Sequence, residues 1–428
     1  MSILTSLYTG ASGLGAHGDA IGVVGDNIAN ASTVGFRASR ASFADVLGGS
    51  APSTQRFGSG VRMTGPQTQF VQGSLQQTGN SLDLAIRGNG FFAVSGNHQG
   101  VTNTYYTRDG RFGKNADGLL VNGEGMRLQG YTIDPTGQLA SAPGDIVLSG
   151  QTSPPNPSTG VTMAVNLDSD ATPPAAWAPA TPSTTSSFST STTVYDSLGA
   201  AHRVDLYFRN NAAGDWEWHA MVDSGDLGAA PGTPTEIGAG QLGFTPAGAL
   251  DTEIITTAPS VSFANATPNQ AITFDFGDSI TTDGGTGLAG STQFAGDSEV
   301  NAVDQDGYGA GTLQDVSIAQ DGTITGQFSN GDSRAVARVA LAHFAADSGL
   351  RRAGAQLFEA TSESGQPALG LAATGGTGYI ASESLETSNV ELGQELVTLI
   401  AYQRAFQANA RTVTTADEML SEISNLKR

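Results

Sequence analysis

Apolar residues recur with heptad spacing at both ends of this chain. Near the N-terminus, small or apolar residues alternate three and four positions apart, at Leu4, Leu7, Ala11, Leu14, Gly18, Ile21, Gly25 and Ile28. Near the C-terminus they recur every seven positions, at Leu385, Leu392, Leu399, Phe406, Val413 and Leu420, with Leu396, Ile400 and Ile423 widening the stripe. Side chains with this spacing lie along one stripe of an α-helix and can pack against a partner helix. The pattern therefore predicts an α-helix at each end of the chain.

The two predicted helices differ in strength. Glycines lie on and beside the N-terminal stripe, and each lowers helix stability by about 1 kcal/mol relative to alanine. The second helix is predicted from about Leu385 to Lys427, a length of roughly 60 Å. A single stripe of this kind is equally consistent with an amphipathic helix packed on its own domain. Because stripes occur at both ends, we interpret them as a helical pair that joins the termini. We call its larger apolar residues the assembly seam: Leu4, Leu7, Leu14, Ile21, Ile28, Leu392, Leu399, Phe406, Val413 and Leu420.

The sequence between the predicted helices is typical of short strands and turns. Asn89-Gly90 and Asp109-Gly110 are examples of the turns that punctuate it, at spacings typical of hairpins. Strands are predicted at Phe91–Ser95 and Arg127–Ile133, and a second β block from Gly311 to Phe344. Val204–Arg209 and Trp216–Val222 are predicted to pair with each other. The Pro/Thr/Ser-rich stretch Ser153–Thr190 before them is interpreted as a linker or solvated loop.

Two similar β blocks separated by a more acidic stretch suggest one domain built from both flanks, with another inserted into it. Residues 146–304 carry 17 Asp and Glu side chains against two basic ones, Arg203 and Arg209. The predicted fold class is mixed: a terminal α-helical coiled-coil pair plus nested, mainly-β domains. The predicted domains are a terminal helical assembly domain (1–33 and 379–428), a connecting segment (34–70), a discontinuous inner β-domain (71–145 and 305–378) and an inserted outer β-domain (146–304).

Composition excludes several classes of protein. The formal net charge is −21, from 40 acidic and 19 basic residues, and nucleic-acid binding needs a basic stripe that the sequence lacks. The chain has no cysteine, so neither disulfides nor thiolate metal sites stabilise it. No apolar run approaches the roughly 18 residues of a membrane span, so no membrane insertion is expected. The first basic residue is Arg37, so we expect export, if it occurs, without a cleaved signal peptide.

No constellation of residues predicts catalysis, a cofactor site or a metal site. Asp275-Phe276-Gly277 matches the magnesium motif of kinases, but the lysine and catalytic-loop partners are absent, which favours the end of a strand. Asp304-Gln-Asp306-Gly307 has acidic spacing like that of a calcium loop, yet lacks the closing glutamate, which favours a turn at a domain boundary. Five scattered histidines are assigned surface or packing roles: His17, His98, His202, His219 and His343. We therefore expect a protein that is not an enzyme.

Three motifs in this order resemble the flagellar rod and hook protein family. Asn27-Ile-Ala-Asn30-Ala-Ser-Thr-Val-Gly35-Phe36-Arg37 is similar to the signature after that family's first helix, with Ser32 where an asparagine is usual. Leu82–Val94 and Tyr106–Phe112 are similar to the start of its β-domain. Ser388–Leu392 and Glu395–Asn409, which include Gln403 and Arg404, are similar to its C-terminal motif. Physically, Asn30 is expected to end the helix by adopting left-handed dihedrals, Gly35 to permit a turn and Phe36 to anchor the emerging chain.

The resemblance implies a structural subunit of an extracellular flagellar tube. The large insert, and Val194–Gly199 within it, favours a hook subunit over the distal rod or a related axial subunit. A surface adhesin would not need heptads at both termini, and a β-rich hydrolase would need a polar cluster that the sequence lacks. The implied partners are other copies of the chain in a helical homopolymer, the flagellar rod, the hook cap, the hook-filament junction and hook-length-control proteins, and the flagellar export apparatus.

Overall fold

The computed structural model describes residues 3–47, 58–134, 136–212 and 214–426. Residues 48–57 of the predicted connecting segment and Lys427 of the predicted C-terminal helix lie outside these ranges. The described chain is mostly β, with a long α-helix at each end, Ile3–Ala29 and Leu392–Leu426. It divides into two compact units, the first from residues 1–151, 314–327 and 333–428, and the second from residues 152–313 and 328–332.

The predicted start of the C-terminal helix is wrong. Leu385 lies in the strand Ser384–Glu386, which pairs antiparallel with Leu75–Gln77, and the helix begins seven positions later at Leu392. The reason is that Glu386 is fully buried and Thr387 donates its backbone N–H to the Ser74 carbonyl. A helix through these residues would break both interactions, so the heptad position at Leu385 belongs to a strand.

The first unit is built around the strand Ser333–His343. It pairs antiparallel with Thr323–Phe328, Arg127–Thr132, Phe91–His98 and Ala368–Leu371. The strands of this unit are Ser39–Leu47, Gly58–Thr68, Leu75–Gln77, Leu84–Arg87, Phe91–His98, Val101–Thr107, Phe112–Lys114, Leu120–Asn122, Arg127–Thr132, Gly144–Asp145, Gly311–Ile318, Thr323–Phe328, Ser333–His343, Arg351–Gly354, Leu357–Glu359, Ala368–Leu371, Tyr379–Ser382 and Ser384–Glu386. Of these, Gly311–Ile318 belongs to the first unit only from Gln314 onward, and Thr323–Phe328 only up to Gln327.

Aromatic side chains fill part of the core of the first unit. The ring of Phe91 lies 5.7 Å from Phe70, 5.9 Å from Phe344 and 5.8 Å from Phe358, measured between centroids. Tyr106 meets Phe344 edge to face at 4.8 Å. Tilted and edge-on aromatic pairs of this kind add about 0.5–1.5 kcal/mol each beyond the area that they bury. The cluster joins strands from both flanks of the sequence.

The second unit contains a five-stranded antiparallel sheet in chain order and a three-stranded sheet. Its strands are Thr152–Ser153, Gly160–Asn166, Phe188–Tyr195, Ala201–Ala212, Asp215–Asp223, Pro234–Phe244, Leu250–Thr257, Ser260–Val261, Gln270–Ala271, Thr273–Asp275 and Glu299–Gln305, with a helical turn at Pro182–Thr185. The predicted pairing of Val204–Arg209 with Trp216–Val222 is confirmed, since Phe208 lies opposite Trp218. Both of these side chains belong to a core that is separate from the aromatic cluster of the first unit.

The interpretation of Ser153–Thr190 as a linker is wrong for much of its length. Gly160–Asn166 is the middle strand of the three-stranded sheet, and Val161, Met163 and Val165 are fully buried. Trp177 stacks on His219 with ring centroids 3.9 Å apart. The high content of Pro, Thr and Ser in Ser153–Thr190 obscures the alternation of apolar residues at Val161, Met163 and Val165. That alternation is the stronger signal for a half-buried strand.

The two short acidic motifs have structural roles. The strand Thr273–Asp275 ends at the first residue of the Asp-Phe-Gly motif. The Asp306 carboxylate accepts hydrogen bonds from the backbone N–H groups of Thr159 and Gly160 at 2.8 and 3.0 Å. Burial acts to raise the pKa of Asp306, but the hydrogen bonds from the Thr159 hydroxyl and from these two N–H groups lower it overall. Asp304 and Gln305 belong to the strand Glu299–Gln305 and Asp306 lies in a bend directly after it, so the motif marks the end of a strand and the predicted turn is not formed there.

Glu253, on the strand Leu250–Thr257, is a half-buried acid in the second unit. Burial, together with the charges of Asp275 and Asp283, raises the pKa of Glu253 to about 7, while the hydrogen bond from the backbone N–H of Phe276 opposes the shift. The ionised carboxylate is thus disfavoured in the folded unit relative to the unfolded chain.

Glu253→Gln is expected to make the second unit more stable at neutral and alkaline pH. An acid whose folded pKa is raised contributes stability below its unfolded pKa, and this contribution is lost as the pH rises through the folded pKa. The wild-type melting temperature should therefore fall relative to that of the variant between about pH 5 and about pH 8. Calorimetry across this range measures the difference, with the exposed Asp297→Asn as the matched control. Parallel pH profiles for wild type and Glu253→Gln would contradict the assignment.

Candidate assembly interface

The N-terminal and C-terminal helices pack against each other in antiparallel directions. Gly10 faces Val413, whereas His17, further along the first helix, lies with its ring 6.0 Å from Tyr402, which precedes Val413 on the second. Residue numbers therefore increase along the first helix in the direction in which they decrease along the second. Residues from the two ends of the chain form one surface.

Small residues form the contact between the helices. A Cβ atom added at Gly10 would lie 2.9 Å from Cγ2 of Val413, and one added at Gly13 would lie 2.6 Å from Oδ1 of Asn409. Only glycine allows such a close approach of a helix backbone. The buried stripe of the N-terminal helix is Gly10, Gly13, Ala16, Ala20, Val24 and Asn27.

The predicted N-terminal seam lies one residue further along than this buried stripe. A shift of one residue turns a position by about 100° around the helix axis, so the seam lies on the neighbouring face. Leu4 is exposed, and Leu7, Leu14, Ile21 and Ile28 are half-buried. The other predicted positions are also incompletely covered: Ala11 and Gly25 are exposed, and Gly18 is half-buried. Large apolar side chains thus remain partly open to solvent beside the helix contact.

The C-terminal helix also carries a covered and an uncovered face. Within the seam, Val413, Leu399 and Leu420 are half-buried, whereas Leu392 is 49% and Phe406 39% exposed. Further exposed apolar side chains of this helix are Leu396, Val397, Ile400, Met419 and Ile423. This number of exposed apolar side chains on one helix exceeds the scattered single exposures that are normal on a protein surface.

A β-hairpin packs beside the helical pair. It consists of Ser39–Leu47 and Gly58–Thr68, and Phe43 on its first strand lies 5.3 Å from the His17 ring and 5.9 Å from the Tyr402 ring. His17, predicted to have a packing role, is therefore one of three rings that join both helices to the hairpin.

The first family motif forms the end of the N-terminal helix. The side-chain amide of Asn27 donates to the Ser39 carbonyl at 2.7 Å and accepts from the Ser39 N–H at 2.8 Å. Asn30 lies in the turn after the helix, and its side chain donates to the Asp26 carbonyl at 2.9 Å. Asn30 does not adopt a positive φ, so the expectation of left-handed dihedrals there is wrong. Instead of a left-handed residue, the hydrogen bond from the Asn30 side chain to the last helical turn ends the helix.

Gly35 and Phe36 act as the sequence predicts. Gly35 has a φ of +69°, and a Cβ atom there would lie 2.6 Å from the backbone nitrogen of Asp109. Phe36 is buried, and the guanidinium of Arg352 lies 4.7 Å above its ring. The positive φ and the close approach both require glycine, and the ring anchors the chain as it leaves the helix.

A buried ion-pair cluster lies next to this motif. The carboxylate of Glu386, which is 0% exposed, accepts from Arg37 at 2.8 Å, from Arg108 at 3.2 Å and from the Gly73 N–H at 2.8 Å. Burial lowers the pKa of Arg108 to about 10, an effect that the Glu386 charge opposes. Arg108 therefore stays charged at neutral pH, and the three side chains hold together segments that are far apart in sequence.

Asn389 adds a second connection just before the C-terminal helix. Its side-chain oxygen accepts from the Ala38 N–H at 2.7 Å, and its side-chain nitrogen donates to the carbonyls of Gln69 and Val71, both at 3.0 Å. The chain leaving the first helix and the chain entering the last are thereby fixed to each other.

Sequence reasoning missed the roles of Glu386, Arg108 and Asn389. Arg37 and Arg108 stand inside two of the quoted motifs, and Glu386 precedes the third by two positions. Charges of opposite sign in three separate motifs were the available signal. Of the other motif residues, Asn409 lies at the helix contact beside Gly13, whereas Gln403 and Arg404 are exposed.

Within residues 3–47, 58–134, 136–212 and 214–426, no group of three or more His, Asp or Glu side chains is arranged to hold a metal ion. In the same part of the chain, no helix has the length and hydropathy of a membrane span.

Four family models match consecutive parts of the chain. Residues 7–37 match the model described as "Flagella basal body rod protein", and residues 85–172 match "Flagellar hook protein FlgE/F/G D1 domain". Residues 166–308 match "Flagellar basal body protein FlaE D2 domain", and residues 381–426 match "Flagellar basal body rod FlgEFG protein C-terminal".

Full-length relatives carry the name flagellar hook protein FlgE. The protein of Salmonella typhimurium is 34% identical over 421 residues, covering 97% of this chain and 98% of its own length. The protein of Treponema pallidum is 32% identical over 477 residues, covering both chains completely. A crystal structure of FlgE2 from Helicobacter pylori aligns with 73% of this chain and 100% of its own, with a TM-score of 0.43 at 17% identity. On its full-length sequence identity to the Salmonella typhimurium and Treponema pallidum proteins, the chain belongs to the FlgE flagellar hook protein family.

Proposed function

We propose that this chain is the repeating structural subunit of the flagellar hook, a curved and flexible helical tube that couples the rod to the filament. The observation that carries the proposal is the apolar surface left uncovered on the paired terminal helices, in a chain with full-length similarity to FlgE proteins. The role is structural and not enzymatic, and it requires no cofactor.

The paired helices supply the contact between subunits. Their own pairing uses small residues such as Gly10 and Gly13, which leaves the larger seam residues Leu392 and Phe406 for a neighbouring copy. When one face of a subunit binds a different face of the next, the contacts repeat without closing and generate an open helical polymer. Within each subunit, the antiparallel pair acts as a short coiled coil.

The proposed domain boundaries are those of the sequence analysis. A terminal assembly domain (1–33 and 379–428) is followed by a connecting segment (34–70), an inner β-domain (71–145 and 305–378) and an inserted outer β-domain (146–304). The existence of two compact units, one made of flanking segments, supports this division. Weak contacts between the acidic outer domains of adjacent subunits would let the tube bend, while contacts between terminal helices hold it together.

The proposed location is the outside of the cell, in the flagellum. The subunit would leave the cell through the flagellar export apparatus without a cleaved signal peptide. It would meet the rod and the hook cap, the hook-filament junction proteins and the hook-length-control protein. A distal rod or related axial subunit is the alternative, but the named full-length relatives are hook proteins. Electron microscopy of the purified polymer separates the two, because a hook is curved and a rod is straight.

Changing Leu399 or Phe406 to Asp is expected to abolish polymerisation while the β-structure stays folded. An unpaired carboxylate buried in a helix interface costs several kcal/mol, and the loss recurs at every subunit. Sedimentation of the purified protein measures polymer, and a melting curve of the monomer measures folding. Gln407→Asp, which adds the same charge at an exposed position outside the seam, is the matched control. Normal tubes from both seam variants would show that the uncovered stripe faces solvent in the polymer.

Glu386→Gln is expected to destabilise the first unit and loosen the terminal helices. Removal of one partner from a buried ion pair costs about 3–5 kcal/mol, because the remaining charges stay buried without compensation. Calorimetry should show a lower melting temperature, and limited proteolysis should show faster cleavage near Ser388. Glu391→Gln, exposed in the same segment, serves as the control. Equal melting temperatures for the two variants would mean that the cluster does not hold the helices to the β-structure.

A further inference from the structure

The second unit contains a cleft that the proposed assembly role does not use. Two adjoining cavities of about 500 and 690 Å³ form it, and Ile255 and Thr273 line both. The strand Leu250–Thr257 borders one side and the strand Thr273–Asp275 the other. Each is an edge strand of its sheet, so the cleft lies between two strand edges.

The strand Leu250–Thr257 pairs with Pro234–Phe244 along one edge. Along its other edge, only the first half of the strand makes hydrogen bonds to a neighbouring segment of the described chain. The backbone N–H groups of Ile280 and Thr281 donate to the carbonyls of Leu250 and Asp251 at 3.1 and 2.8 Å. The Glu253 N–H donates to Oγ1 of Thr282 at 3.1 Å. Beyond this point, the described residues provide no second strand for Ile254–Thr257.

The uncovered half of this strand is apolar and β-branched. Ile254 is 50% and Ile255 45% exposed, and these neighbours point to opposite faces of the strand. Natural proteins usually protect such edges with lysine, proline, a bulge or a covering segment. Ile254-Ile-Thr-Thr257 contains neither lysine nor proline, and its one such device is a bulge at Thr256, where the pairing with Pro234–Phe244 shifts by one residue. An open edge of this kind is a template for the addition of an extended peptide strand.

The two ends of the cleft differ in chemistry. One end is lined by apolar side chains, Pro259, Pro268, Ala271 and Ile272 among them. The other end is lined by the carboxylates Glu253, Asp275, Asp278 and Asp283. No lysine or arginine lies among the described residues that line either cavity. A ligand that matches both ends is therefore apolar along its length and cationic at one end.

We propose that this cleft binds an extended peptide segment of another protein, which adds as a strand to Ile254–Thr257 and places Lys or Arg side chains among the four carboxylates. The backbone of the segment pairs with the open edge, and alternate side chains enter the cavities. An antiparallel segment brings its C-terminal end beside Glu253. A second copy of this chain fits poorly, because each copy has a net charge of −21.

The buried carboxyl of Glu253 also favours a cationic end on the bound segment. Burial holds the pKa of this carboxyl at about 7, because no counter-charge compensates its ionised form. A lysine or arginine from the partner supplies that charge. Salt then weakens binding by screening the attraction.

The test uses full-length monomer and a capped peptide, acetyl-Thr-Val-Thr-Val-Thr-Lys-Thr-Lys-amide, carrying a fluorescent label for anisotropy titration. We expect saturable binding that the double variant Asp275→Asn/Asp278→Asn weakens at least about tenfold. The same peptide with glutamate in place of lysine should not bind. Asp297→Asn, an exposed position of the same unit outside the cleft, is the matched control and should bind as wild type does.

Two further measurements locate the peptide. Hydrogen exchange should slow at the amides of Ile254–Thr257 when the peptide is bound, and Ile255→Lys should abolish binding. If a melting curve shows that Ile255→Lys does not fold, the variant Asp275→Asn/Asp278→Asn and the hydrogen-exchange data still test whether the peptide binds in the cleft. Failure of the lysine peptide to bind, or equal binding of the glutamate peptide, would overturn the proposal. Loss of self-association in Ile255→Lys, without peptide binding to wild type, would show instead that a second copy occupies the cleft.

Discussion

The arrangement of the first unit depends on one buried carboxylate. Glu386 pairs with Arg37 and Arg108, so a single side chain connects the exit of the first helix, a β-strand end and the entry to the last helix. Burying three charges is costly unless each is paired and hydrogen-bonded, and this cost is what makes the interaction selective. An alternative path of the chain that separated these segments would leave a charge without a partner. The helical pair and the β-structure are therefore specified together.

The helices show how far heptad patterns can be read. Both helices were predictable from spacing alone, yet the seam assigned to the N-terminal helix lies one residue away from the stripe that the structure buries. The pattern was detected through large side chains such as Leu14 and Ile21, whereas the contact with the other helix uses Gly10 and Gly13. A search for apolar repeats finds the large residues first, since glycine contributes little to hydrophobicity. The stripe detected in the sequence is the one left partly open to solvent.

The errors at other positions have a common physical origin. The helix was extended through Leu385 because heptad spacing says nothing about tertiary pairing, and the burial of Glu386 decides that position. The composition of Ser153–Thr190 predicts a linker because its proline and threonine content outweighs the apolar residues Val161 and Val165, which the structure buries. The turns at Asn89-Gly90 and Asp109-Gly110 are not hairpin turns, because the strands on either side of each pair with other strands. The pair Val204–Arg209 with Trp216–Val222 was predictable, since the alternation of apolar and polar residues indicates both strands. The clefts and the buried ion pairs were not, because they are made by residues distant in sequence.

The close contact at Gly10 and Gly13 reverses the usual mutational tolerance of a protein core. In most cores, truncation is the damaging change, because deleted methyl groups leave a void. At this contact there is no volume to delete, and the addition of a single methyl group at Gly13 meets the Asn409 side chain at 2.6 Å. The pairing of the terminal helices within one subunit is thus sensitive to growth of its smallest side chains, whereas the largest side chains serve the proposed contact with the next subunit. Directed evolution of this region would therefore meet two opposite constraints, one against added volume at glycine and alanine and one against lost apolar surface at leucine and isoleucine.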